Sequence, residues 1–145
     1  MAIEREHKYL VTDESYKQLA TEKIHIIQGY LSKAIHNTVR VRIADNKAFL
    51  TVKGKNNGDS RLEFEYEVPL DDAREMLGLC EGIPLDKTRY IVMYEGYRWE
   101  VDEYHNRNAA TVAEIELKES THDYPLPPFC GKEVTGDPRY YNSLL

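Results

Sequence analysis

Residues 61–68 alternate without a break. Arg61, Glu63, Glu65 and Glu67 fall in one phase, and Leu62, Phe64, Tyr66 and Val68 in the other. A period of two belongs to a β-strand with one apolar face. The same pattern recurs with an unusually charged second phase. Arg40 and Arg42 stand against Val39, Val41 and Ile43; Arg98, Glu100 and Asp102 against Trp99 and Val101; and Glu114, Glu116 and Lys118 against Ala113, Ile115 and Leu117. The first strand contributes Glu4, Glu6 and Lys8, and a later one Lys87 and Arg89. Like charges two residues apart on one strand face repel each other. A solvated face gains nothing from that arrangement, whereas a face that holds a polyvalent ligand does. The pattern therefore predicts a closed antiparallel β-barrel, with its apolar phase packed outward and its charged phase lining the lumen.

Turn and cap signals order the elements. Strands are expected over 3–11, 24–31, 38–44, 47–53, 61–68, 86–94, 98–104 and 112–119, giving eight strands in one mainly β (α+β) domain spanning residues 1–145. Asp45-Asn46 and Glu95-Gly96 mark turns between neighbouring strands. Thr12 and Asp13 predict a short helix to about residue 20, Pro69 a second helix to about Leu77, and Asp137-Pro138 a short terminal one. The run Tyr124-Pro125-Leu126-Pro127-Pro128 reads as a surface connection.

Composition narrows the function. The chain of 145 residues carries a formal net charge of -6, which disfavours non-specific nucleic-acid binding. No apolar run approaches the roughly 20 residues that cross a bilayer, and the N-terminus shows no apolar signal core. Cys80 and Cys130 form no CxxC motif or disulfide framework, so a reducing cytoplasm is expected. Nothing has zinc-ligand spacing, and the five histidines show no mutual spacing that suggests a site. His7 falls in the outward phase. Phe64, Tyr66, Tyr90 and Trp99 read as outer packing.

The lumen chemistry follows from its charges. Arginines offer bidentate contacts to phosphate oxygens, and lysines a compact charge. Carboxylates facing the same polyanion need a hard divalent cation between them, Mg²⁺ or Mn²⁺. Cations, acids and metal together make a phosphoryl-transfer site.

Glu4-Arg5-Glu6-His7-Lys8 matches the ExExK signature of the triphosphate tunnel metalloenzymes, or CYTH superfamily. Gly29-Tyr30-Leu31, Val39-Arg40-Val41-Arg42, Leu50-Thr51-Val52-Lys53, residues 61–67, Lys87-Thr88-Arg89-Tyr90, Trp99-Glu100-Val101-Asp102, residues 113–117 and Glu133-Val134-Thr135 resemble its successive motifs, in order. The resemblance covers essentially the whole chain and is closest to the short bacterial members. It implies an eight-stranded tunnel with a Mg²⁺- or Mn²⁺-dependent site for a linear triphosphate. It further implies phosphate contacts from Lys8, Arg40, Arg42, Lys53, Lys87 and Arg89, with Arg61 balanced between phosphate contact and lumen ion pair. The implied metal ligands are Glu4, Glu6, Glu63, Glu65, Asp102, Glu114 and Glu116, divided between one or two ions. Lys8 and Tyr30 match a Lys–Tyr pair proposed to help activate water in inorganic tripolyphosphatases. Glu100 is expected to pair with Arg98 and is left out of the site.

The expected activity is hydrolysis of inorganic tripolyphosphate to pyrophosphate and phosphate by a monomer or homodimer. A class IV-type adenylate cyclase and a nucleoside or thiamine triphosphatase are alternatives. A polyphosphate-binding module is the non-enzyme rival, disfavoured by the full set of acids.

Overall fold

The computed structural model describes residues 2–145. In chain order the elements are β1 (Ile3–Val11), α1 (Tyr16–Leu19), β2 (Ala20–Ala34), β3 (Asn37–Ala44), β4 (Lys47–Gly54), β5 (Ser60–Val68), α2 (Leu70–Leu77), β6 (Glu81–Tyr94), β7 (Tyr97–Tyr104), β8 (Val112–Glu116) and β9 (Cys130–Glu133). Two 3₁₀ turns, Pro138–Tyr140 and Asn142–Leu144, end the chain. The strands pair antiparallel in the order β5-β4-β3-β2-β6-β7-β8-β1, and β1 returns to β5, so eight strands close on themselves. Closure removes the free edges of an open sheet. One edge of β1 is shared between two partners. Ile3–Arg5 pair with β5, and Tyr9 and Val11 pair with β9.

The apolar phase faces outward, as expected for this barrel, so the core lies between the barrel wall and what covers it. One cluster joins Tyr9, Tyr90, Val92, Trp99, Val101, Ala113 and Ile115 to Tyr16 of α1 and to Tyr124 and Phe129 of the connection before β9. A second packs Val41 and Ala48 against Ala73 of α2. Tyr90 and Trp99 are buried in this way, whereas Phe64 and Tyr66 of the same expected stripe are exposed on the uncovered wall of β5.

Several boundaries differ from expectation. The first helix is a single turn, because residues from Ala20 onward already pair with β6. Asp13 Oδ1 accepts from the Ser15 amide (2.9 Å), a local turn rather than the expected helix cap. β6 begins at Glu81 rather than at residue 86, and the irregularity is absorbed by a register shift between Gln28 and Tyr30 of β2. β8 stops at Glu116. β9 is too short and too close to prolines for its period to show. The terminal cap holds: the Asp137 side chain accepts from the Arg139 amide.

Candidate functional site: a charged lumen

Antiparallel register converts the alternating charges into cross-strand neighbours. Arg40 pairs with Thr51, which pairs in turn with Glu65; Lys53 lies opposite Glu63, Glu4 opposite Arg61, and Glu6 opposite Glu116. Lys8 and Glu100 both lie opposite Glu114, while Arg89 lies opposite Asp102. Apart from Thr51 and Asp102, these positions surround a cavity of about 350 Å³. Of the residues singled out in the sequence, Glu4, Glu6, Lys8, Tyr30, Arg40, Arg42, Lys53, Arg61, Glu63, Glu65, Lys87, Arg89, Glu114 and Glu116 all line it.

Tyr30 reaches the lumen because Gly29 takes the outward position. A Cβ at Gly29 would stand 2.7 Å from Cys80 Sγ, so the wall approaches the segment after α2 closely there. The Tyr30 hydroxyl accepts from Gln28 Nε2 at 3.2 Å.

Asp102 is placed differently from the expectation. It does not line the cavity but lies beneath it, 1% exposed, with both oxygens committed. Arg89 Nε donates to Oδ1 (2.8 Å) and Nη2 to Oδ2 (2.9 Å), and Lys87 Nζ donates to Oδ2 (2.8 Å). With both oxygens so engaged, Asp102 orients two cations from outside the cavity lining rather than facing it as a ligand. Glu100, left out at the level of sequence, lines the cavity, 3.3 Å from Arg89 Nη1 as well as 2.9 Å from Arg98. Its phase, shared with Asp102, was the signal that could have found it. The chain's end also reaches the site, without any signal in the local pattern. Lys8 Nζ donates to the Tyr140 carbonyl (2.9 Å), while Lys87 Nζ (3.3 Å) and the Tyr104 hydroxyl (2.6 Å) donate to Asn142 Oδ1.

Around the lumen the charges are only partly matched. Lys53 lies 2.7 Å from Glu4 and 3.2 Å from Glu63, Lys8 lies 3.3 Å from Glu114, and Arg40 and Arg42 each lie 3.5 Å from Glu65. The buried Nε atoms of Arg40 and Arg42 have no hydrogen-bond partner. Burial, then Arg40 and Arg89, push the Arg42 guanidinium down to about 10.

The acids are crowded in turn. Burial raises Glu6 well above the carboxylate range, and the charges of Glu114 and Glu4 raise it further. Glu63 is pushed up to about 7 by burial and by its hydrogen bond to Glu4. Glu4 stays well below the ordinary range, because Glu63 and Lys53 outweigh its own burial. Burial and the charges of Glu100 and Glu4 raise Glu116. Lys8 is raised against its burial by Glu114 and Glu6, which favours the charged ammonium.

Comparison with known proteins agrees with this geometry. The family model described as the CYTH domain matches residues 2–141. An inorganic triphosphatase of Acetivibrio thermocellus is 46% identical over 147 aligned positions, covering 100% of this chain and 94% of that protein. One of Nitrosomonas europaea is 28% identical, covering 98% and 95%. The crystal structure of an inorganic triphosphatase superposes with a TM-score of 0.68 at 26% identity, covering 99% of this chain and 94% of that one. A Hippeastrum protein, studied as an adenylyl cyclase and described as having a dominant triphosphatase activity, shares the fold at 18% identity with a TM-score of 0.63, covering 80% of each chain.

Proposed function

We infer the activity from one premise, that the chain belongs to the CYTH family: it hydrolyses inorganic triphosphate to pyrophosphate and phosphate in a metal-dependent reaction inside the barrel. The observation that carries this reading is the cavity itself, which gathers Arg40, Arg42, Lys53 and Arg61 beside clustered acids, while the buried Nε donors of Arg40 and Arg42 find no partner among the described residues. Buried donors without partners cost about 1–3 kcal/mol each. A polyphosphate in the cavity supplies the negative charge that these guanidinium groups, each ion-paired among the described residues only with Glu65 at 3.5 Å, otherwise lack.

The residues divide by charge. Arg40, Arg42, Lys53, Arg61, Lys87 and Arg89 bind phosphate oxygens, and Asp102 holds Lys87 and Arg89 in place for that task. Glu4, Glu6, Glu63, Glu65, Glu114 and Glu116 would hold the metal. Their donors are carboxylate oxygens alone, which suits Mg²⁺ or Mn²⁺. Burial first, and the neighbouring acids next, raise Glu6 and Glu63, and a divalent ion among these carboxylates would relieve their mutual repulsion. When bound, the ion neutralises phosphate charge and so lowers the barrier to attack on phosphorus.

Lys8 sits among Glu114, Glu6 and the Tyr140 carbonyl, surroundings that suit an ammonium rather than a base. Its role is to stabilise charge developing on the phosphoryl oxygens or on the leaving pyrophosphate. Tyr30, held by Gln28, offers a hydroxyl that orients the attacking water. The two free thiols support a reducing, cytoplasmic setting. Among the described residues no helix is long and apolar enough to cross a membrane.

The test is turnover of tripolyphosphate, ATP and thiamine triphosphate, each with Mg²⁺ and with Mn²⁺. The expected result is the highest kcat/KM for tripolyphosphate. Preference for ATP with release of cyclic nucleotide would replace this reading with the cyclase one.

A further inference from the structure

On the outside of the barrel, remote in sequence from one another, two histidines and a glutamate converge. His7 of β1 points away from the lumen and is 2% exposed. His122 lies in the connection between β8 and β9, and its ring stacks on that of His7 with centroids 4.3 Å apart. Glu133 ends β9, with Oε1 2.8 Å from His122 Nε2 and Oε2 3.9 Å from His7 Nδ1. One donor atom from each of these residues lies within 4.8 Å of the other two.

The surroundings fix which His7 nitrogen is available. Asp59, anchored by Arg5 Nε (3.1 Å) and Ser120 Oγ (2.8 Å), accepts from His7 Nε2 at 2.9 Å. That carboxylate–imidazole bond favours the tautomer with its proton on Nε2, in which the Nδ1 lone pair faces the Tyr124 hydroxyl (2.7 Å) and Glu133. A carboxylate behind one ring nitrogen is the arrangement that orients a metal-ligating histidine and strengthens it as a donor. Glu133 is steadied likewise, since Thr135 Oγ1 donates to its Oε2 at 2.6 Å. The Tyr124 hydroxyl keeps a partner in Tyr9 (2.6 Å) if it yields Nδ1.

We propose that His7 Nδ1, His122 Nε2 and Glu133 form a second metal site, for a borderline transition-metal ion of the Zn²⁺ class, separate from the oxygen-lined lumen. Two imidazoles and one carboxylate favour Zn²⁺ over Mg²⁺. Zn–N distances of about 2.0–2.1 Å require the donors to draw to within about 3.4 Å of one another. His122, with its side chain 63% exposed, is free to make that movement, in which its ring turns out of the stack on His7 and Nε2 gives up the proton it shares with Glu133, so that both imidazole planes contain the ion. The ion ties the connection before β9 to the edge that β1 shares between β5 and β9. It therefore fastens the barrel's seam and takes no part in phosphoryl transfer.

The experiment adds Zn²⁺, or Co²⁺ as a spectroscopic substitute, to metal-free full-length protein in excess Mg²⁺. The Mg²⁺ occupies the lumen acids. Wild type and His122→Ala are compared by titration against a competing chromophoric chelator, by melting temperature and by the Co²⁺ visible spectrum. Expected are one tight Zn²⁺ equivalent and a Zn²⁺-dependent rise in melting temperature in wild type. Binding should be at least about tenfold weaker in His122→Ala, the thermal rise should be lost, and Mg²⁺-supported tripolyphosphate turnover should be unchanged. The Co²⁺ complex should show the intense bands of a four- or five-coordinate nitrogen-ligated ion. Absence of a tight equivalent in wild type would overturn the proposal, as would equal affinity and equal thermal shift in His122→Ala.

Discussion

At the scale of single residues, the lumen cations divide into those held ready and those lacking a partner. Arg40 and Arg42 lack one at Nε, so Arg40→Ala should act chiefly on substrate. The loss of a charged hydrogen bond, about 1.5–3 kcal/mol, corresponds to a fall in kcat/KM of roughly ten- to hundredfold in steady-state kinetics with tripolyphosphate. Near wild-type kinetics would mean that this arginine does not meet phosphate. Asp102 carries the opposite kind of role. Asp102→Asn leaves Lys87 and Arg89 buried with a weaker partner, and urea denaturation at neutral pH should show a loss of about 3–5 kcal/mol. Burial opposes its ionisation, but Arg89 and Lys87 hold its carboxyl well below the usual aspartate range. The unfolded chain therefore binds this proton first. The stabilisation is complete above about pH 4 and drains away as pH falls further. The gap between wild type and Asp102→Asn should narrow in acid, and a gap independent of pH would contradict the ion-pair account. Alternation made the inward side of β7 legible but not the depth of each side chain. Glu100 reaches the cavity and Asp102 sits beneath it, and only the positions of Lys87 and Arg89 on the neighbouring strand decide that.

At the scale of elements, the strands with the cleanest alternation, β3, β4 and β5, match their sequence reading within a residue or two. A period of two sustained over seven or more residues is hard to satisfy any other way. β2 runs longer at both ends than its local pattern predicts. Its first residues form strand because β6 stands opposite, a long-range cause that local pattern does not record. β9 escapes the sequence pattern for a similar reason: it exists because half of one β1 edge is left open by β5. His7, His122 and Glu133 were illegible as a group, since no local spacing links positions that only the closed barrel brings together. Gly29 marks where a strand meets its outer layer. Gly29→Val forces a side chain into Cys80 and should destabilise the protein by about 1–3 kcal/mol in denaturant unfolding. Full stability in that variant would show that the segment after α2 gives way freely.

At the scale of the whole molecule, closure places the apolar phase outside and gathers charge of both signs into one cavity. Glu116→Gln removes one of the crowded acids. It should abolish metal-dependent turnover while leaving the melting temperature equal to wild type or higher. A matched loss of activity and stability would instead make Glu116 a structural residue. Ligand that binds only the folded barrel stabilises it by mass action, about 2.7 kcal/mol at a hundred times the dissociation constant. Tripolyphosphate with Mg²⁺ should therefore raise the melting temperature more than orthophosphate or metal alone. The most direct measurement is phosphate release from tripolyphosphate by the purified wild-type protein, followed from excess chelator through a titration of Mg²⁺ or Mn²⁺. A lumen whose acids hold a metal and whose cations hold the substrate gives no turnover in chelator, and a saturable rise as metal is restored. Full turnover in excess chelator, or none at any metal concentration, would contradict it.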